Sequence, residues 1–161
     1  MREISFVVSE ARWPGDRAAV EARFREYVAS LAEDISFQDF EAEFAGLPGK
    51  YARPGGAVLI AWDGAQPDGA VAYHMVEPGV CEMKRLYIRP AFRGKGIARE
   101  LANELIDDAR RQGYRTMLLD TLGSMSAARA LYRDLGFVPV APYYDNPLSG
   151  VMYMALDLSE Q

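Results

Sequence analysis

Glu82-Met83-Lys84-Arg85-Leu86-Tyr87-Ile88-Arg89-Pro90-Ala91-Phe92-Arg93-Gly94-Lys95-Gly96-Ile97-Ala98 is the stretch on which the fold turns. It starts inside a strand-like run over residues 81–89, which Pro90 stops. Residues 95–112 then read as an amphipathic helix, with Ile97, Ala98, Leu101, Ala102, Leu105 and Ala109 on its buried side and Gly113 as terminator. Residues 115–121 form the next strand. Strand, helix and strand follow one another so closely that the unit is a βαβ crossover, which predicts two parallel neighbouring strands.

Working outward, residues 56–62 and 70–76 are strand-like and joined by residues 63–69, whose Gly, Pro and Asp content predicts a hairpin loop. Before them lie a short strand over residues 3–8 and a helix capped by Asp16, with Val20, Phe24, Tyr27, Val28 and Leu31 at helical spacing. Ser36 with Asp39 resembles a capping pair for a second helix carrying Phe37, Phe40 and Phe44. After the crossover come a helix over residues 126–135 ended by Gly136, and strands over residues 137–144 and 151–158. The class expected is a mixed α/β sheet flanked by helices.

A length of 161 residues fits one domain. The apolar stretch at residues 57–62 is too short to span a bilayer, and Met1-Arg2-Glu3 lacks the apolar run of a signal peptide, so a cytoplasmic address without membrane association is expected. One cysteine, Cys81, and one histidine, His74, leave no basis for a disulfide or a metal site. The net charge of −5 argues against nucleic acid as a partner. Yet Lys84, Arg85, Arg89, Arg93, Lys95 and Arg99 form a positive island, which suits a small polyphosphate. The other reading is a solvated basic face balanced by Glu100, Glu104, Asp107 and Asp108.

Gly94 and Gly96 sit where strand meets helix, and a helix start offers unpaired N–H groups to an anion. Nothing matches a phosphate loop of the Walker type. A dinucleotide fingerprint would need a third glycine where Arg99 stands, although Asp120 imitates the ribose-binding acid.

The segment 82–98 resembles the acetyl-CoA motif of the GNAT superfamily of N-acetyltransferases, whose core is Arg/Gln-x-x-Gly-x-Gly/Ala. Ala128-Arg129-Ala130-Leu131-Tyr132-Arg133-Asp134-Leu135-Gly136-Phe137 is similar to that superfamily's second motif. The resemblance implies a mostly antiparallel sheet with one parallel crossover, its two central strands splayed to admit the pantetheine arm. It implies acetyl-CoA as cosubstrate, its pyrophosphate cradled by Arg93, Gly94, Lys95, Gly96, Ile97, Ala98 and Arg99 and its arm lying along Leu86, Tyr87 and Ile88. Met125 departs from the asparagine many members place there, with Ser124 or Ser126 as substitutes. Residues 1–50 match only loosely.

The activity implied is acetyl transfer to a primary amine of a small molecule or peptide. An alkyl amine at pH 7 must lose a proton against about 4.6 kcal/mol, so a general base is useful. Glu82 is the candidate base, placed by alternation on the same face as Leu86, whose N–H would meet the oxyanion. Tyr132 is the candidate acid at the departing sulfur. Each has a plain structural reading too: Glu82 paired with Lys84 or Arg85, Tyr132 packed beside Leu131 and Leu135. Cys81 reads as a buried small residue. His74 and the loop residues Tyr143, Tyr144 and Asp145 would border the acceptor. A non-catalytic acyl-CoA sensor and a nucleotide-binding oxidoreductase module are the alternatives. The reading leaves room for a homodimer.

Overall fold

The structure, a computed structural model, describes residues 5–31 and 39–159. Along the chain run β1 (Val7–Glu10), α1 (Arg17–Ser30), α2 (Phe40–Ala45), β2 (Ala57–Asp63), β3 (Gln66–Glu77), β4 (Val80–Ile88), α3 (Ile97–Arg111), β5 (Thr116–Thr121), α4 (Ser126–Asp134), β6 (Val138–Val140) and β7 (Met152–Asp157). The strands form one sheet in the order β1-β2-β3-β4-β5-β7-β6. Every neighbouring pair is antiparallel except β4 with β5, the pair joined through α3.

The two sheet faces carry separate cores. On one, Leu101, Ala102, Leu105 and Ala109 of α3 pack against Tyr73, Cys81, Met83 and Met117, and each buried leucine contributes about 1.5–3 kcal/mol. On the other, Val20 and Phe24 of α1 and Phe44 of α2 cover Val58, Ile60, Ala70 and Ala72, with Tyr51 filling the gap. Among the described residues no helix is long and apolar enough to cross a membrane.

Several expectations shift. The first strand begins at Val7, where pairing with Trp62 starts; Glu3 lies outside the described residues. Asp16 precedes α1, but its carboxylate accepts the Arg12 N–H at 2.8 Å and so ties the preceding turn instead of capping the helix. Ser36 and Phe37 lie outside the described residues, and Asp39 precedes α2 without a side-chain cap bond. The loop expected at residues 63–69 is mostly strand: β2 and β3 pair as far as Asp63 with Gln66, because a turn at Gly64-Ala65 lets them meet directly. The strand expected to reach residue 144 stops at Val140, two residues before Pro142, which has no N–H to continue a ladder.

Candidate active site

β4 and β5 pair only at their beginnings. Val80 faces Thr116, Cys81 faces Met117 and Glu82 faces Leu118, and the ladder ends there. Beyond it the strands diverge around a cleft of about 540 Å³, walled by Met83, Lys84, Leu86 and Ile88 on one side and Asp120, Leu122 and Tyr132 on the other. The β5-facing edge of β4 past Glu82 has no ladder partner among the described residues. Backbone groups on such an edge seek an added strand or its chemical equivalent.

The cleft runs to the start of α3. Among the described residues the backbone N–H groups of residues 94–99 meet no protein acceptor. Gly94 and Gly96 hold φ of 78° and 85°, the left-handed region that favours glycine, and a Cβ at either would meet nothing within 4 Å. An open row of amides at the N-terminus of a long helix fits a phosphate group. Lys95 is exposed beside them. Arg93 is less free than the sequence suggests: its Nε donates to the Ile88 carbonyl at 2.8 Å and its guanidinium lies 5.7 Å from the Tyr87 ring centre. Arg99 donates to Asp134 of α4 at 3.1 Å. The island is not balanced by the α3 acids as a group, because Asp108 pairs with Arg53 and Arg111, and Asp107 with Arg110.

At the other end a polar cluster faces α1 and α2. His74 Nε2 lies 2.8 Å from Glu82 Oε1, and the Tyr143 hydroxyl donates to Glu82 Oε2 at 2.5 Å. His74 Nδ1 lies 3.0 Å from the Met75 carbonyl, so both ring nitrogens face acceptors. Lys84 Nζ stands between Glu82 at 3.7 Å and Asp120 at 3.8 Å, and Asp120 accepts from the Tyr144 hydroxyl. The expected grouping of Glu82, His74, Tyr143 and Tyr144 is therefore present, whereas Asp145 is exposed and stays out of it.

Glu82 and Leu86 do not share a face of β4, contrary to the alternation expected. Ala70 pairs with Tyr87 but Ala72 pairs with Lys84, so β4 carries an extra residue here, and Arg85 takes φ 64°. That insertion sends Leu86 toward the α3 core while Glu82 bonds on the opposite face. Glu82 is buried and does not line the cleft; Asp120 does. Burial alone would raise the Glu82 carboxyl pKa, but the His74 hydrogen bond, the Lys84 charge and the Tyr143 hydroxyl outweigh it and bring it down to about 2. Against an ordinary value of 4.5, this contributes stability that is present above pH 4.5 and lost as pH falls through 2. The stability difference between the wild type and Glu82→Gln is expected to shrink by on the order of 3 kcal/mol between pH 6 and pH 2, read from denaturant melts. A pH-independent difference would contradict the assignment.

Arg85 is buried and forks onto Glu43 of α2, its Nε and Nη2 both at 3.1 Å from the carboxylate. Tyr51 donates to the same carboxylate at 3.0 Å, and Lys50 Nζ lies 3.5 Å from it. Glu43 and Lys50 lie in the loosely matched residues 1–50, and Tyr51 just after them, where no motif marks them. Lys84 was visible as part of a charge run and as a partner of Glu82, and Asp120 as a ribose-acid mimic. Tyr132 is buried on the cleft wall, its hydroxyl without a hydrogen-bond partner among the described residues, and burial raises its pKa. Ser124, Met125 and Ser126 also border the cleft. Cys81 is fully buried, its thiol pushed up to about 12 by burial, which leaves it inert.

Among the described residues the mixed sheet opens between its one parallel pair of strands, with bare helix-start amides at the opening, an arrangement that matches what the resemblance to N-acetyltransferases implied. Residues 19–137 match the family described as Acetyltransferase (GNAT) family, and the chain belongs to it. It is an acyltransferase. An N-acetyltransferase of Schizosaccharomyces pombe, itself uncharacterised, is 37% identical over 99% of this chain and 99% of its own. N-acetylaspartate synthetase of Danio rerio is 32% identical, over 81% of this chain and 48% of its own. The PaiA N-acetyltransferase of Thermoplasma acidophilum, solved in complex with coenzyme A, shares the fold with a TM-score of 0.74 at 16% identity, covering 95% of this chain and 99% of its own.

Proposed function

We propose that this chain transfers the acetyl group of acetyl-CoA to a primary amine of a small molecule by direct attack within the cleft. The observation that carries the reading is the parallel ladder that stops at Glu82 and Leu118, leaving a channel between bare amides at one end and the Lys84–Asp120 cluster at the other. Family membership and relatives named as N-acetyltransferases support it.

Acetyl-CoA supplies the activated acetyl group. The amides of residues 94–99 hold its pyrophosphate, with Lys95 adding charge. Leu86, Tyr87 and Ile88 offer the open edge of β4 to its arm, and the Leu86 N–H is the oxyanion donor. The amine nitrogen bonds to the thioester carbon, the carbon–sulfur bond breaks, and the sulfur leaves as thiolate. Glu82 is buried off the cleft, with one carboxylate oxygen on His74 and the other on Tyr143. Glu82 therefore acts by fixing His74 and Tyr143, and Asp120 on the cleft wall receives the amine proton directly or through water. Tyr132, whose phenol burial keeps protonated, donates a hydrogen bond to the departing sulfur without giving up its proton.

Tyr132→Phe is accordingly expected to lower kcat by roughly 10- to 100-fold with acetyl-CoA affinity unchanged, the scale of one hydrogen bond to a charged group. The function itself is tested by calorimetry with coenzyme A and with NAD, followed by thiol release from acetyl-CoA across a panel of amines. Coenzyme A binding and amine-dependent release are expected. Binding of NAD but not coenzyme A would overturn the reading, and coenzyme A binding without release from any amine would leave only a sensor.

A further inference from the structure

We infer that the acceptor is a zwitterion, an amine that carries its own carboxylate, and that Lys50 and Lys84 seat that carboxylate; this rests on the acetyl-transfer reading above. The Lys84 side chain is only 12% exposed and lies on the cleft wall. An ammonium has three N–H donors, yet its nearest carboxylates stand at 3.7 and 3.8 Å, beyond hydrogen-bond length. Set between two carboxylates and opening on the cleft, this ammonium makes no hydrogen bond within the protein among the described residues and keeps its N–H donors for an arriving anion.

Lys50 is in a related position. Its carboxylate neighbour, Glu43, is already occupied by both arms of Arg85 and by the Tyr51 hydroxyl, so one negative charge serves two cations. Burial lowers the Lys50 pKa; Glu43 opposes that shift, and the nearby charges of Lys84 and Arg85 add to it. Among Glu43, Arg85 and Lys50, one carboxylate thus faces two cations, and Arg85 holds it in a two-armed fork. Its Nζ lies 5.5 Å from the centre of the Tyr51 ring, and that ring lies 6.0 Å from His74, which leads to Glu82 and back to Lys84. Lys84 on the cleft wall is thus linked to Lys50 through one run of side chains, Glu82, His74 and Tyr51.

Other acceptor classes fit this patch poorly. A polyamine could set one ammonium against Asp120, but its second would have no use for the free donors of Lys84 and Lys50 and would be repelled by them. An alkyl amine without a carboxylate would leave both lysines as they are. An amino acid presents both signs at short separation: its carboxylate meets the lysines and its ammonium, before losing a proton, meets Asp120 and the charge of Glu82.

The test compares L-phenylalanine, L-phenylalaninamide and phenethylamine in thiol release with the full chain, with kcat/KM corrected for the neutral fraction of each amine. L-Aspartate and putrescine extend the panel. A preference of at least ~10-fold for the carboxylate-bearing amines is expected, and Lys84→Met and, separately, the half-exposed Lys50→Met should each shrink it to within about 3-fold. Thermal melts check that both variants fold. Equal use of phenethylamine or putrescine would overturn the carboxylate seat while transfer stands. A preference untouched by either substitution would also overturn it. Absence of release from every amine, with coenzyme A still bound, would overturn the transfer reading and the seat together.

Discussion

Replacing Gly96 by valine is expected to weaken acetyl-CoA binding by at least ~10-fold and up to ~100-fold while leaving the fold intact. Gly96 holds φ 85° and ends the turn that aims the amides of residues 94–99 outward. A β-branched residue there is strained by about 1–2 kcal/mol, which the loop relieves by rotating its peptides out of line. Each amide that turns away removes a charge-assisted bond worth roughly 1.5–3 kcal/mol. Because an added Cβ meets nothing within 4 Å, no core contact is disturbed, and the Tm should fall by only a few degrees. Gly96→Asn, which tolerates the left-handed region better, should lose less affinity than valine. Calorimetric titration with coenzyme A reads the effect, and unchanged affinity in the valine variant would remove this loop from the binding site.

Glu43→Ala is expected to destabilise the protein by about 3–5 kcal/mol, because it leaves the Arg85 charge buried without a partner. The Arg85 side chain is 3% exposed and that of Glu43 is 9% exposed, so water screens neither. Tyr27 and Phe44 surround the guanidinium with rings 6.0 and 5.9 Å away, which supply no acceptor equal to a carboxylate. A loss of this size should lower the Tm by about 10 °C or more. Combining Glu43→Leu with Arg85→Met should recover much of the loss, since the charge that then loses its partner, Lys50, is half-exposed and stays hydrated. Denaturant melts at neutral pH check both variants; a change below about 1 kcal/mol for Glu43→Ala would mean that the pair is solvated. The acceptor side should loosen as well, because this pair ties α2 to the bulge in β4.

Much of the fold was readable from local pattern. The 3.6-residue spacing of Ile97, Leu101 and Leu105 requires a helix, Pro90 requires the strand before it to stop, and the closeness of the following strand requires a parallel crossover; all three are present. Boundaries failed where pairing overrode composition. Residues 66–69 look like loop by content, yet the two-residue turn at Gly64-Ala65 draws them into β3. The phosphate-binding end of the candidate site was also legible, because glycine spacing and helix start are neighbours in the chain. The polar cluster at the other end was legible only in part: His74, Tyr143 and Tyr144 were grouped with Glu82, as they are in the structure, whereas Asp145 is exposed and apart, and Lys50 and Asp120 had no place in that grouping.

What the amino-acid sequence determined alone is the order of the elements and the loop that opens α3, since both depend on residues a few positions apart and on the backbone freedom of Gly94 and Gly96. Which side chains share the acceptor patch was decided by tertiary structure. His74, Glu82 and Tyr143, or Glu43 and Arg85, meet only because β3, β4, α2 and the loop after β6 are brought together. One inserted residue at Arg85 reverses the alternation of β4, so Glu82 and Leu86 part to opposite faces. A period of two carries no memory of such an insertion, and only the register against β3 reveals it.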